Sequence, residues 1–293
     1  MNKYLIFRTD RIGDFLVSAI LIKSIKRNDK KSYITVISSE KNYDYIKTFK
    51  FVDEVILLKN TFLQKVKLIL KLKQFYYKCI VLHDNKNRSN LISFFLKAKK
   101  KIKISKFSFF PQIDIIKKIL NILNFNFNRN DLDILSDRKT NIFKNKYIVL
   151  HLDEKWFHQT YIENYTNIEP SKKDLLLFLK SLSSLSKKTI FVTTGITTPK
   201  LLNKVFKYKN YPNVFFYENL DIISLEKLIL NADLLISCHG SVSHIASAFK
   251  KRQIDIIDSS YNYFLWTKHF RNYCYLYREN FKKLSKKILL EIK

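Results

Sequence analysis

Two short stretches concentrate side chains able to move protons or hold anions. In FRTDRIGDF (7–15), Arg8, Asp10, Arg11 and Asp14 crowd around Gly13. A carboxylate in such a loop can take a proton from a hydroxyl, or it can cap the helix that follows and complement its dipole. In SCHGSVSH (237–244), His239 and Gly240 are followed by Ser241, Val242, Ser243 and His244. Hydroxyls and amides at a helix start make an anion site, and capping accounts for a serine there equally well. Arg8, Arg11 and Arg88 carry planar guanidinium forks, which suit a phosphorylated or acidic ligand.

These residues are positioned by an alternation of strands and helices. Residues 3–8 read as a strand and 14–26 as a helix with Phe15, Ile20, Ile22 and Ile25 on its apolar face. Strands follow at 33–38, 54–58 and 79–83, with helices at 43–48, 63–76 and 89–97. After a helix at 113–123 the chain turns polar and asparagine-rich, which marks a linker. The pattern restarts with strands at 146–151, 189–194, 213–216, 233–237 and 254–257 and helices at 172–185, 199–206, 224–231 and 243–249. The organisation expected is an α/β domain over 1–140, a second over 146–279 and an amphipathic helix at 280–293. The lysine run 99–101 reads as a solvated element end.

Only three glycines occur in 293 residues: Gly13, Gly195 and Gly240. Each follows an expected strand, at the sheet edge where open α/β domains bind ligands. In so glycine-poor a chain they are expected to mark positive φ or a close backbone approach, with ordinary turn chemistry as the alternative. The same scarcity excludes both GxGxxG and GxxxxGK[ST]. Any phosphate must then be held by helix N-termini and point charges, the terminus after HGSV among them.

The chain has 54 Lys and Arg against 25 Asp and Glu, a formal net charge of +29. Such a field attracts nucleic acid, anionic lipid head groups or phosphorylated substrates. Abundant Lys, Asn, Ile, Phe and Tyr also fit a genome-wide drift in codon use, with lysine filling neutral surface. Cys79, Cys238 and Cys274 form no CxxC pair, as in a reducing compartment. The charged N-terminus lacks a signal-peptide core, and no window of 18 uncharged apolar residues appears. A cytoplasmic location is expected.

Several segments, in order, resemble the bacterial heptosyltransferases of glycosyltransferase family 9. KYLIFRTDRIGDFLVSAILIKSIKR carries the family's R-x-x-x-[IM]-GD-x-[VL] turn, and ITVISSEKNYDYIKTFKFVDEVI follows it. YKCIVLHDNKNRSNL resembles the family's next strand and loop, YIVLHLDEKW its K-W segment, and ADLLISCHGSVSHIASAF its D[ST]G-x-x-H segment. His239 stands where the family has Asp, and Ser241 where it has Gly, with Gly240 displaced by one residue.

The resemblance implies a GT-B fold, two Rossmann-like domains facing across a cleft, the acceptor held by the first and the nucleotide-sugar donor by the second. It implies inverting transfer without a metal or other cofactor, an ADP-sugar as donor, and a lipopolysaccharide core or other lipid-linked glycan as acceptor at the inner membrane face. Asp14 matches the family's base, and Arg8, Asp10, Arg11, Gly13 and Arg88 fall on the acceptor side. Lys155 matches the phosphate-binding lysine and His244 the histidine near the donor phosphates. Thr194 and Gly195 border the nucleotide, Glu218 reaches the ribose or base or is simply a surface glutamate, and His239, Gly240, Ser241, Val242 and Ser243 complete the donor loop. DLD at 131–133 has the spacing of a metal-binding pair but falls in the linker with no strand before it. A monomer without a nucleic-acid partner is expected, in peripheral contact with the inner membrane face, where the positive charge would assist docking without insertion. The alternatives are a degenerate family member that binds glycan or nucleotide sugar without transfer, and a basic nucleic-acid-binding protein, for which no RNP, zinc or helix-turn-helix pattern is present.

Overall fold

The computed structural model describes residues 1–107, 109–138, 146–157, 164–206 and 213–292. Part of the expected linker, 139–145, and residue 293 of the expected terminal helix lie outside them. The chain divides into two compact units. The first is Met1–Ile134 with Phe264–His269, and the second is Leu135–Tyr263 with Phe270–Lys293.

The first unit runs β1 (Asn2–Phe7), α1 (Ile12–Asn28), β2 (Ser32–Ser38), α2 (Tyr43–Lys47), β3 (Glu54–Leu57), α3 (Phe62–Leu72), β4 (Tyr76–Leu82), α4 (Asn87–Phe94), β5 (Lys97–Lys103) and α5 (Gln112–Ile122). Its strands are all parallel, in the order β3-β2-β1-β4-β5. Tyr4–Phe7 are fully buried because helices cover both faces of a parallel sheet, so its central strands are continuously apolar. Leu68 and Leu72 of α3 and Ile92 of α4 share one core with Leu5, Phe7, Ile80 and Leu82. These two helices therefore form one layer, while α1 and α5 pack together.

β5 corrects the reading of 99–101 as a solvated end. KAKKKIK pairs along β4 as the edge strand, with Ile102 turned inward. Its lysines hid the strand signal, and charge on an edge discourages pairing with another chain.

The DLD segment is structural. Asp131, almost fully buried, accepts hydrogen bonds from Ser24 Oγ at 2.7 Å, Arg27 Nε at 2.9 Å and the Asn128 amide at 2.9 Å, tying the end of the unit to α1. Burial works to raise its pKa, but Arg27, the Asn128 amide and Ser24 together hold it below the usual carboxylate value. The folded pKa thus lies below the unfolded one, so this stabilisation is complete above the unfolded value and is lost as pH falls through the folded one. Asp131→Asn is expected to cost about 1.5–3 kcal/mol near neutral pH. Urea unfolding at neutral and acidic pH checks this, since the difference between variant and parent should shrink in acid.

The second unit runs β6 (Tyr147–His151), α6 (Glu154–Phe157), α7 (Lys172–Ser186), β7 (Thr189–Thr193), α8 (Lys200–Val205), β8 (Val214–Tyr217), α9 (Ile222–Asn231), β9 (Leu234–Cys238), α10 (Ser241–Ala248) and β10 (Arg252–Ile257). It closes with β11 (Tyr273–Tyr277) and α12 (Phe281–Ile292), after the chain has placed α11 (Phe264–Thr267) in the first unit. The parallel order is β11-β10-β9-β6-β7-β8. Phe264–His269, assigned by sequence to the second domain, pack with α5 of the first, and Lys268 Nζ meets Asp114 at 2.6 Å. Helix α12 is no separate piece: Phe281, Leu284 and Ile288 enter the second unit's core with Trp156 and Phe178.

In each sheet the strand order reverses once, between β1 and β4 and between β6 and β9. Loops leaving neighbouring strands in opposite directions open a crevice at their carboxyl ends. Residues 8–14 and 83–88 follow β1 and β4, and 152–155 and 239–244 follow β6 and β9.

None of the three glycines has positive φ, which overturns half of the expectation for them. Among the described residues the left-handed positions are held by Asn85, Asn124, Asn219, Asn272, Lys187 and Lys250. Asparagine tolerates that region better than most side chains.

Candidate functional site

At the β1/β4 switch point of the first unit lies a polar pocket of about 740 Å³. Arg8, Asp10, Arg11, Asp14 and Arg88 all line it; Gly13, the second residue of α1, does not. Asp14 stands in the first turn of α1, where Oδ2 accepts the Arg11 amide at 3.0 Å. Asp10 is held by Lys86 Nζ at 3.0 Å and Arg8 Nη1 at 3.3 Å. Burial nonetheless raises its pKa above the ordinary carboxylate value, against the pull of Arg8 and Lys86.

Arg8 is only 2% exposed. Its Nε donates to Ser18 Oγ at 2.6 Å and its Nη1 to the carbonyl of His83. Ser18 Oγ, accepting from Arg8, also lies in hydrogen-bond contact with His83 Nδ1 at 2.7 Å. Burial, followed by the charge of Arg8, holds the His83 pKa well below the imidazole value, so the ring is neutral. Arg8 Nη2, His83 Nε2 and Arg88 Nε are buried with no partner among the described residues. Two guanidinium donors and an imidazole nitrogen left unsatisfied around one pocket call for the polar groups of a ligand. Arg88 otherwise braces the loops through Asn60 Oδ1 at 2.9 Å and the Thr9 carbonyl at 3.2 Å.

At the β6/β9 switch point of the second unit, Lys155 Nζ lies 2.8 Å from Asp153 Oδ2 and 2.9 Å from the carbonyl of His239. Burial disfavours the ammonium, but Asp153 outweighs it and raises the Lys155 pKa above its usual value. Gly240 supplies the close approach expected of a glycine, because a Cβ there would fall 2.6 Å from Lys155 Nζ. His151 behind them is driven by burial to a pKa of about 4, and is neutral.

Helix α10 starts at Ser241, two residues earlier than its sequence pattern suggests. Ser243 Oγ accepts the Gly240 amide at 3.3 Å and donates to Asp255 Oδ1 at 2.7 Å. The amides of Ser241 and Val242 precede any carbonyl of the helix that could accept them, while the Val242 side chain is buried. Asp255, fully buried on β10, also receives His239 Nδ1 at 2.6 Å and Tyr273 Oη at 3.2 Å. A carboxylate in such a cluster acts as acceptor, so Nδ1 carries a proton and Nε2 is the His239 atom left to face a ligand. The rings of His244, Tyr263 and Phe270 surround it at 5.6, 4.8 and 6.2 Å.

Thr194, Gly195 and Glu218 stand one and two strands away, after β7 and β8. Thr194 Oγ1 accepts the Asn219 amide at 2.9 Å and is fully buried. Gly195 has open space around its missing side chain, so nothing in the structure demands glycine there, and Glu218 is exposed.

Sequence reasoning missed Ser18, His83, Asp84, Asp255, Trp266 and Arg278. Asp84 takes Thr9 Oγ1 and Ser89 Oγ, each at 2.6 Å, and fixes the floor of the first pocket. Arg278 donates to the carbonyls of Lys155 at 2.9 Å and Thr166 at 2.8 Å, holding the lysine loop from behind. His83 and Asp84 carried a signal, a polar pair directly after an apolar strand. Asp255 and Trp266 carried none, since only the fold brings them near their partners.

Among solved structures, the chain is similar to E. coli heptosyltransferase WaaC with ADP, at 11% identity and a TM-score of 0.73 over 99% of this chain and 100% of that one. It is similar also to a glycosyl transferase family 9 structure from Veillonella parvula, at 11% identity and 0.71 over 99% and 91%. E. coli ADP-heptose lps heptosyltransferase II matches at 11% identity and 0.70 over 100% and 97%. The fold is thus of GT-B type, with two Rossmann-like units. No protein-family model matches the sequence, and no curated protein does.

Proposed function

We propose that the chain is a glycosyltransferase of the heptosyltransferase type, moving a sugar from a nucleotide-diphosphate donor to a lipopolysaccharide core or similar lipid-linked glycan. The acceptor hydroxyl attacks the anomeric carbon and its proton passes to the Asp14 carboxylate. The bond to the diphosphate breaks on the opposite face, so the anomeric configuration inverts. Arg8 and Arg88 offer their unpaired donors, and His83 its ring nitrogen Nε2, to the acceptor's anionic or hydroxyl groups. Lys155 and the Ser241 and Val242 amides meet the charge that develops on the leaving diphosphate, a metal-independent scheme.

The observation that carries this reading is the second unit's crevice, where an ammonium rests against the one glycine whose side chain would displace it, beside a helix N-terminus. An ADP-sugar is the proposed donor, in keeping with the ADP in the similar WaaC structure. The position at which the resemblance has Asp is filled here by His239 backed by Asp255, so Nε2 is proposed to contact the donor sugar or its phosphate.

A thermal-shift series tests the donor side. ADP at about a hundredfold excess over its Kd stabilises the native chain by about 2.7 kcal/mol, a rise in Tm of several degrees. Lys155→Met should abolish that rise. No shift with ADP, or an unchanged one in the variant, overturns the assignment.

A further inference from the structure

The first unit carries an apolar surface that its own fold does not use. Helix α3 buries Leu68 and Leu72 against the sheet, yet Phe62, Val66 and Leu70, spaced four residues apart, form an exposed row with Leu63 beside it. Phe62 is 78% exposed and Leu63 71%. In the same layer, Leu91, Phe94 and Phe95 of the α4 segment are exposed at i, i+3 and i+4. Large apolar side chains gathered on one side of a unit mark an interaction site.

The charge around them departs from that of the chain as a whole. Residues 55–113 hold fourteen Lys or Arg and a single acidic residue, Asp84, against 54 and 25 in the whole sequence. Asp84 is itself buried under Thr9 and Ser89. Lys67 on α3, Lys73 just after it, and Lys97 and Lys99 on β5, which follows α4, are exposed. A composition drift would spread lysine evenly; this segment instead combines cations, phenylalanines and aliphatic side chains and has almost no acid.

We propose that the outer face of α3 and α4 docks on an anionic phospholipid bilayer. Phe62, Leu63, Phe94 and Phe95 enter the interfacial layer, and the lysines face the head groups. Exposed valine and leucine favour a bilayer over nucleic acid, whose bases stack on aromatic rings and gain little from aliphatic ones. Docking through this face is independent of the reaction proposed above.

Sedimentation of the full chain with vesicles tests it, using phosphatidylcholine alone and phosphatidylcholine with about one third phosphatidylglycerol. The parent chain should bind the anionic vesicles and not the neutral ones. The triple variant Phe62→Ser, Phe94→Ser, Phe95→Ser should lose about tenfold in affinity with Tm unchanged, since all three side chains are exposed. Lys67→Glu with Lys97→Glu should lose binding comparably and serves if the triple variant fails to fold. Equal binding by these variants, no binding to anionic vesicles, or loss of self-association or oligonucleotide binding in place of vesicle binding overturns the proposal. Asp14→Asn should bind vesicles as the parent does, so failure of the transfer chemistry leaves this result separate.

Discussion

Replacing Asp14 by asparagine should lower transfer turnover by about 10²–10⁴-fold, the usual worth of a positioned general base. The substitution separates two roles that the position combines. Asparagine keeps a side-chain oxygen able to accept the Arg11 amide, so the N-terminus of α1 retains its cap. What it loses is the capacity to take a proton. Asp10 is the less accessible proton acceptor even though burial raises its pKa, because Lys86 and Arg8 engage its two oxygens, whereas Asp14 commits Oδ2 to the Arg11 amide. Steady-state kinetics with donor and acceptor give the result, alongside thermal unfolding to confirm an intact fold and the ADP shift to confirm donor binding. Turnover close to that of the parent would remove Asp14 from the chemistry. A parent chain that binds ADP and transfers nothing would leave a binding protein in its place.

Lys155→Met should cost about 10²–10³-fold in turnover, comparable to removing one preorganised group that stabilises developing charge. It should also destabilise the chain by about 1–3 kcal/mol, because Asp153, almost fully buried, loses its cation and keeps only the backbone amide of residue 155 at 3.2 Å. Gly240→Ala separates these effects. The added Cβ would press on Lys155 Nζ at 2.6 Å, the far end of a flexible side chain that can swing aside. Asp153 keeps a mobile cation nearby, while the ammonium leaves its seat against the His239 carbonyl. Gly240→Ala should therefore approach Lys155→Met in turnover with a much smaller loss of stability, read by urea unfolding beside the kinetics. Parent-like turnover in Gly240→Ala would show that the position of this ammonium does not matter.

The alternation of strands and helices was legible because buried parallel strands such as YLIF and LLIS have few polar interruptions. Most elements start and stop within a few residues of their sequence pattern. The two missed strands fail for opposite reasons. β5 is an edge strand whose lysines imitate a solvated run, and β11, YCYLY, is an edge strand with no fully buried residue and three tyrosines spaced two apart on one face. At the site, spacing located what lies within one loop, such as Asp14 near Arg8 and His239 near Ser243. It missed what a neighbouring strand supplies: Asp255 reaches His239 from β10, and His83 reaches Ser18 from β4. The glycine reasoning worked at Gly240 through close approach and failed on positive φ, because asparagine and lysine had taken the left-handed positions.

The return of Phe264–His269 to the first unit brings Trp266 into the wall of its pocket, some 250 residues after Arg8. That pocket is therefore inherited in two instalments of the chain. A single recombination breakpoint between the units would transplant Arg8, Asp14 and Arg88 while leaving their tryptophan behind. Exchange of this pocket as a whole requires two crossovers, or one followed by compensating change at position 266.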